Sequence, residues 1–325
     1  MSSATQTTSY TTLLGKEKAI AFIKDYFSTQ LCRQLSLTKV AAPLFVKSGT
    51  GLNDDLNGIE RPVSFKLKGV DNSIEIVQSL AKWKRKRLHE LEIPAGQGIV
   101  ADMRAIRPDE VTSPIHSFLV DQWDWEKHIS VTDRNIPYLK EAVEAIYQAL
   151  RATNSRIQEE GLPGLQLPET LHFVHSEDLL QQYPDLSPKE RENACAKEFG
   201  AIFIIGIGAP LSNSLVHDDR APDYDDWTTP NDDGYTGLNG DLIIWNPAHQ
   251  AALEISSMGI RVDATALRKQ LNAKDCAHRA EMEFHRQVLN NTYPLSMGGG
   301  IGQSRLCMLL LQLKHIAEVQ ASIWP

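Results

Sequence analysis

The chain has few cysteines for its 325 residues: Cys32, Cys195, Cys276 and Cys307, with no CxxC pair among them. Scattered thiols of this kind supply neither a zinc cluster nor a disulfide framework, and they fit a reducing cytoplasmic setting. No apolar run reaches the roughly 18 residues that a bilayer-spanning helix needs, so no membrane partner is expected. The first 15 residues contain no arginine and no apolar stretch long enough for a secretory signal. Their Ser/Thr-rich composition is that of a disordered tail (1–15), with order expected from near Lys16. Basic residues are also in deficit, 33 against 41 acidic, giving a formal net charge of -8. A chain-wide acidic balance repels phosphate backbones, which argues against nucleic acid as a partner.

With 42% hydrophobic residues the chain can still bury a sizeable core. Ile20, Ile23, Phe27, Leu31 and Leu35 recur at helical spacing. Val40 to Val46 reads as a strand interrupted by Pro43, and GTGLNDDLNG (49–58) as a loop rich in glycine and carboxylates. Alternation at Val63, Phe65 and Leu67, and again at Ile74 and Ile76, predicts an antiparallel hairpin over 61–77. A second strand pair, Ile99 to Arg107 and His116 to Trp125, brackets the loop at 108–114. Helices are expected over 136–158, 187–199, 264–290 and 304–319. The second of these opens on a capping box, Ser187 with Glu190, and closes at Gly200. AIFIIGIG, just after it, reads as a buried strand. Strands arrive in runs rather than in strict alternation with helices. The expected fold is therefore α+β, an antiparallel sheet flanked by helices, in a single catalytic domain over 16–325.

The sharpest local feature is MGGGIGQSRL, Met297 to Leu306, read as a glycine-rich approach to a helix start where an anion would be favoured. It is not a Walker loop, because QSR replaces GK[ST], and Arg305 stands where a dinucleotide fingerprint needs its third glycine. A tight turn dictated by packing is the plainer reading of the glycines alone. Arg305, just inside the helix, suits a terminal phosphate. Arg107 precedes PDE, Arg220 lies within HDDRAPDYDDW, and Arg261 ends EISSMGIR. Asp241 and Glu254 sit on two strand-like segments, DLIIW and ALEIS, where a pair of carboxylates would make a hard-cation site. Taken singly, each of these is better read as a surface ion pair. His172 and His175 point to opposite faces of a strand, which disfavours a metal site. KWKRKR (82–87) reads as a solvated helix face. No cysteine has the setting of a nucleophile, and residue 2 is serine, so no glutaminase nucleophile is visible.

In combination these segments resemble the three signature motifs of class II aminoacyl-tRNA synthetases. The first helix with the Pro43 strand is similar to the first motif, IRPDEVTSPIHSFLVDQWDWE to the second, and GGGIGQSRL to the third. SLAKWKR, DQWDWE, RAPDYDDW, GLNGD and SSMGIRVD narrow the resemblance to the ammonia-dependent asparagine synthetase (aspartate–ammonia ligase) family, from about Lys16 onward. That resemblance implies ATP, Mg2+, L-aspartate and ammonia as ligands, a homodimer, and a β-aspartyl-adenylate intermediate. It places Arg107 on the ATP α-phosphate, Arg305 on the terminal phosphate, and Mg2+ on Asp241 and Glu254. Ser79, Lys84, Gln122, Asp124, Arg220 and Asp225 match the aspartate site. Ser117, Ser257 and Arg261 match the nucleotide side, and Asp54 a position near incoming ammonia. An aspartyl- or asparaginyl-tRNA synthetase would need an anticodon module of about 100 residues, by analogy of fold, so tRNA is not an expected partner. A non-catalytic regulator on the same fold would not need so many retained charges.

Overall fold

In the string DQWDWE a period of two puts Trp123 and Trp125 on one side of a strand and Gln122, Asp124 and Glu126 on the other. The computed structural model describes residues 12–54 and 60–324 and builds its central sheet on this alternation. The chain opens with α1 (Leu13–Leu35) and β1 (Leu37–Val40). A small sheet follows, made of β2 (Phe45–Lys47), β3 (Ser64–Phe65) and β4 (Ile74–Ile76). Next come α2 (Ala81–Glu90), the hairpin β5 (Gly98–Ile106) and β6 (Leu119–His128), and α3 (Ile136–Glu159). Then β7 (His172–His175), α4 (Ser176–Gln182), α5 (Pro188–Phe199) and β8 (Ala201–Ile205) lead to β9 (Asn239–Asn246) and β10 (Ala251–Ile260). Helices α6 (Ala264–Ala273) and α7 (Glu283–Leu289) precede β11 (Ser296–Gly302), which runs straight into α8 (Gln303–Leu310).

Among the described residues, eight strands form one sheet in the order β1-β5-β6-β11-β10-β9-β8-β7. Its inner pairs are antiparallel, as expected. The outermost pairs, β1 with β5 and β7 with β8, are parallel, so the sheet is mixed. Helices intervene in sequence between the members of both outer pairs, and a helical crossover returns the chain in its original direction. One face packs on α1, α3 and α8. Phe27, Leu31, Trp123, Trp125, Leu150 and Met308 share that cluster, with the Phe27 and Trp123 rings 4.6 Å apart. Burial of each such side chain is worth about 1.5–3 kcal/mol, so this face is the rigid backing for the polar one.

Several boundaries differ from the sequence reading. Helix α1 begins before Lys16 because Thr12 caps it, its hydroxyl accepting the Gly15 N–H at 3.0 Å. Most of the expected tail, 1–11, lies outside the described residues. The supposed strand at 40–46 is the joint between two sheets, with Pro43 in the connection, where no ladder bond is asked of it. The helix expected over 264–290 is broken after Ala273, where Asp275 takes a φ of 52°. The last helix stops at Leu310, and Gln312 takes a φ of 52°. In both places the apolar stripe continues past the break, because periodicity reports burial and not continuity of hydrogen bonding. KWKRKR is helical but is not a solvated face: Lys82, Lys84 and Arg85 are 3%, 1% and 3% exposed. The hairpin over 61–77 and the Ser187–Glu190 capping box form as expected.

Candidate active site

A cleft of ≈ 580 Å3 lies over the polar face of the sheet. Its floor is made by β6 and β11, whose register sets Gly300 opposite Asp124 and Gly298 opposite Glu126. The glycine run is therefore a strand that leads into α8, not the tight turn that was the alternative reading of MGGGIGQSRL, and Gly299, Gly300 and Gly302 line the cleft. Met297 and Ile301 enter the core, while Gly298 and Gly300 leave the site face bare. A Cβ at Gly298 would run into the Glu126 carboxylate and the Arg261 guanidinium, and one at Gly300 into the Gln122 amide. The glycines give these side chains room to lie flat across the floor.

Strand β10 supplies the adjoining wall through a bulge. Glu254 pairs with Ile243, but Ser256 pairs with Leu242 and Ser257 with Asp241. The extra residue restores phase, so Glu254 and Ser257 share the face of Asp241 although they are an odd number of residues apart. Asp241 lies 4% exposed beneath Arg220, with which it is ion-paired. Burial pushes its carboxyl up to about 7 against the pull of Arg220, and the charge of Glu254 adds to the rise. Glu254 itself is 3.6 Å from Arg305 Nη1, which also donates to its backbone carbonyl at 3.2 Å. A buried carboxylate raised by the charge of a second one nearby fits a divalent cation that takes its remaining ligands from water and phosphate. Among the described residues no cluster of three or more His, Cys, Asp or Glu is arranged for a metal. His172 stacks on Phe199, with the ring centroids 3.7 Å apart.

The deepest charges form a closed network. Arg261 donates through Nε and Nη2 to Glu126, at 3.0 and 2.8 Å, and through Nη1 to Asp225. Ser296 Oγ donates to Glu126 at 2.7 Å. Burial alone would raise the Glu126 carboxyl, but Arg261, Lys84 and Ser296 together hold it below its usual value. For Asp225 burial wins over Arg261 and Arg220, and its carboxyl is raised. Lys84 donates to Asp124 and, at 2.9 Å, to the Gly299 carbonyl, and burial lowers its pKa despite Asp124. Breaking one partner out of such a buried set costs about 3–5 kcal/mol. The network therefore fixes the cleft geometry before any ligand arrives.

Several polar atoms of the cleft lining remain over, three of them on Arg107, Arg220 and Asp124. Arg107 Nε, Arg220 Nε and Asp124 Oδ2 are buried without a hydrogen-bond partner among the described residues. Orphaned buried groups are rare enough to need a reason. Two guanidinium donors and one carboxylate acceptor in a single cleft match a ligand that carries both anionic and ammonium groups.

Most residues singled out from the sequence converge here. Asp54, Ser79 and Lys84 line the cleft from the loop and α2, and Arg107 and Ser117 from the β5–β6 hairpin. Gln122 and Asp124 rise from β6; Arg220 and Asp225 come from the segment before β9. Glu254, Ser257, Arg261 and Arg305 complete the lining. Asp241 sits behind Arg220 and not in the lining. Arg261 lines the cleft but commits its guanidinium to Glu126 and Asp225. Sequence reading passed over Glu126, although the alternation of DQWDWE already puts it beside Gln122 and Asp124. It also passed over Gln78 and Tyr224, which line the cleft without any spacing signal.

A family model described as aspartate-ammonia ligase matches residues 14–325. The aspartate--ammonia ligase of Parabacteroides distasonis is 53% identical over 312 residues, covering 95% of this chain and 90% of that protein. That of Clostridium perfringens strain SM101 is 52% identical over 311 residues, with the same coverage. Among solved structures, Pyrococcus horikoshii asparaginyl-tRNA synthetase complexed with asparaginyl-adenylate superposes with a TM-score of 0.67 at 18% identity, over 95% of this chain and 70% of that one. Entamoeba histolytica asparaginyl-tRNA synthetase, in complex with asparaginyl-adenylate, gives 0.66 at 16% identity, over 95% and 66%. The chain thus spans about two thirds of the length of these synthetases, and at such identities the likeness establishes the class II synthetase catalytic fold alone. The family match over nearly the whole sequence, with relatives above half identity, shows that the chain belongs to the aspartate–ammonia ligase family.

Proposed function

We propose that this enzyme makes L-asparagine from L-aspartate and ammonia with ATP, through a β-aspartyl adenylate, releasing AMP and pyrophosphate. The observation that carries the reading is the trio of orphaned atoms: Arg107 Nε and Arg220 Nε for anions, Asp124 Oδ2 for an ammonium group. Aspartate carries two carboxylates and an ammonium, and ATP carries the phosphates. Ser79, Lys84, Gln122, Asp124, Arg220 and Asp225 hold aspartate in this reading. Ser117, Ser257 and Arg261 border the nucleotide.

A carboxylate is a poor electrophile because oxide is a poor leaving group, and transfer to AMP supplies a good one. Both reactants are anionic, so their approach must be screened. Arg107 on the α-phosphate and Arg305 on the terminal phosphate do this by fixed charge and alignment. Asp241 and Glu254 would hold Mg2+, which when bound adds positive charge at the phosphates. Asp54 attracts the incoming nitrogen and accepts its proton as it attacks the adenylate. The acyl adenylate must meanwhile be kept from water, a task that falls to the walled cleft.

Purified protein given ATP, Mg2+, aspartate and ammonium is expected to yield asparagine, AMP and pyrophosphate in equal amounts, with little or no asparagine from glutamine. ADP and phosphate among the products would require an acyl phosphate and would end the adenylate reading.

The reading extends to assembly and setting. Helix α1 with the edge strand β1 matches the family's dimerisation motif, and Leu44 and Phe45 beside it are 53% and 42% exposed. A closed two-fold dimer is the usual outcome for such a self-matching surface. Light scattering is expected to report about twice 36.3 kDa, and an active monomer at nanomolar concentration would contradict it. The four thiols, none in a disulfide, suit the cytoplasm, and residues 16–325 are taken as a single catalytic domain.

A further inference from the structure

A second cavity, of ≈ 210 Å3, shares Asp54 with the cleft. Helix α2 contributes to both. Residues two apart on a helix are turned by about 200°, so Lys84 enters the cleft while Lys82 enters the second cavity. Lys47 and Gly49 on its rim are exposed, which gives the cavity its own path to solvent.

Inside stands a buried histidine–aspartate dyad that the proposed chemistry does not yet use. Asp223 and His285 are each 0% exposed, and Asp223 Oδ2 lies 3.0 Å from His285 Nε2. The same oxygen accepts from Lys82 Nζ at 3.1 Å, with Arg279 Nη1 at 3.5 Å. Burial would raise the Asp223 carboxyl, but Lys82, His285 and Arg279 hold it far below the usual carboxylate range, so it remains an anion. An anion accepting at Nε2 assigns the proton to that nitrogen and leaves the lone pair on Nδ1. Nδ1 is buried beside Gly51 and has no hydrogen-bond partner among the described residues. A base with its second nitrogen fixed by a carboxylate is the arrangement that general-base catalysis uses. The other charges lining the cavity balance: Asp54 and Glu75 against Lys47, with Asp223 set against Lys82 and Arg279.

The reaction leaves work for such a base. Ammonium has four N–H bonds and the amide nitrogen of asparagine has two, so two protons must leave the nitrogen. Asp54 accounts for one. The β-aspartyl adenylate occupies the cleft when the nitrogen arrives, so an entrance elsewhere admits it without uncovering that intermediate. Resting on the adenylate reading above, we propose that the second cavity is the ammonium entrance and that His285 Nδ1 takes the first proton there. An N–H bond of ammonium breaks and an H–Nδ1 bond forms, giving ammonia and an imidazolium that faces Asp223. The ammonia passes Asp54, attacks the acyl carbon and gives up its second proton there as AMP departs.

The test uses the full chain. His285→Gln keeps an amide donor toward Asp223 and removes the Nδ1 lone pair. Aspartate-dependent ATP–pyrophosphate exchange is expected to stay within about twofold of wild type, while ammonium-driven kcat/KM at neutral pH falls about 10²-fold. That deficit is expected to shrink as pH rises and solvent itself supplies free ammonia. An unchanged ammonium rate, a deficit constant with pH, or an equal loss of exchange would each overturn the proton role. Met282→Trp, which narrows the cavity and keeps both Asp223 and His285, is expected to raise KM for ammonium several-fold and leave exchange intact. An unchanged KM for ammonium, or exchange lost together with synthesis, would overturn the entrance. Absence of exchange in the unmodified enzyme is a separate result, and it would remove the adenylate reading itself.

Discussion

Arg305→Ala is expected to lower kcat/KM for asparagine synthesis by about 10²-fold or more, the usual consequence of losing a preorganised charge-stabilising contact. The guanidinium has little structural work to lose. Its described contacts are the Glu254 carbonyl at 3.2 Å and the Glu254 carboxylate at 3.6 Å, and it stays 23% exposed in the cleft. An exposed pair of that kind is worth at most about 1 kcal/mol to stability. A small change in melting temperature with a large change in turnover is the signature expected. If the variant turned over at a near-normal rate, the segment from Met297 to Arg305 would be a packing device and the terminal-phosphate role would fall.

Asp54→Asn is expected to separate the two halves of the reaction. Adenylate formation, read as aspartate-dependent ATP–pyrophosphate exchange, should persist, while synthesis from ammonium falls by about 10²–10⁴-fold, the range for loss of a general base. The site is better anchored than the composition of GTGLNDDLNG suggests. Asn53 donates to Glu75 at 3.1 Å and to the Ile76 carbonyl at 3.2 Å, and its own amide oxygen accepts from the Asp54 and Gln78 backbones. Asp54 is 3% exposed, and the Tyr224 hydroxyl beside it is pushed well above its usual pKa, first by burial and then by the Asp54 charge. Hydroxylamine, neutral near pH 7, has no ammonium proton to surrender but still loses a proton as it attacks, so turnover in this variant should stay low with it. Matching losses of exchange and synthesis would assign Asp54 to binding or folding. Asp55, the natural control, lies outside the described residues and should matter less.

How much of this could be read in advance differs from one element to another. Strand β6 was legible in kind but was set three residues early at each end: 116–125 was expected and Leu119–His128 forms. The capping box at Ser187 was legible because its two hydrogen bonds are local. KWKRKR was misread because a charge run at helical spacing says nothing about what faces it. Lys82 and Lys84 are buried by Asp223 and Asp124, 141 and 40 residues away. The glycine run was read as an approach to a helix start, and α8 does begin at Gln303, but its strand form went unread because its cause is the width of Glu126 and Gln122 on the neighbouring strand, which no local pattern encodes. The carboxylates Asp241 and Glu254 were picked out correctly as a pair, but their common face depends on an irregular register that alternation alone would have denied them.

That irregularity at Ile255 makes this wall of the cleft sensitive to counting more than to chemistry. Side chains around the bulge can be exchanged one at a time, and an isoleucine there needs only to be apolar and of similar volume. A change of one residue in length between Glu254 and Ser257 is different in kind. It would turn Ser257 and Arg261 toward the face now filled by Trp125 and Met258, or turn Glu254 away from Asp241. Over evolutionary time this stretch of β10 should therefore vary in composition while holding its length fixed, and insertions should be accommodated in the turn at 247–250 instead.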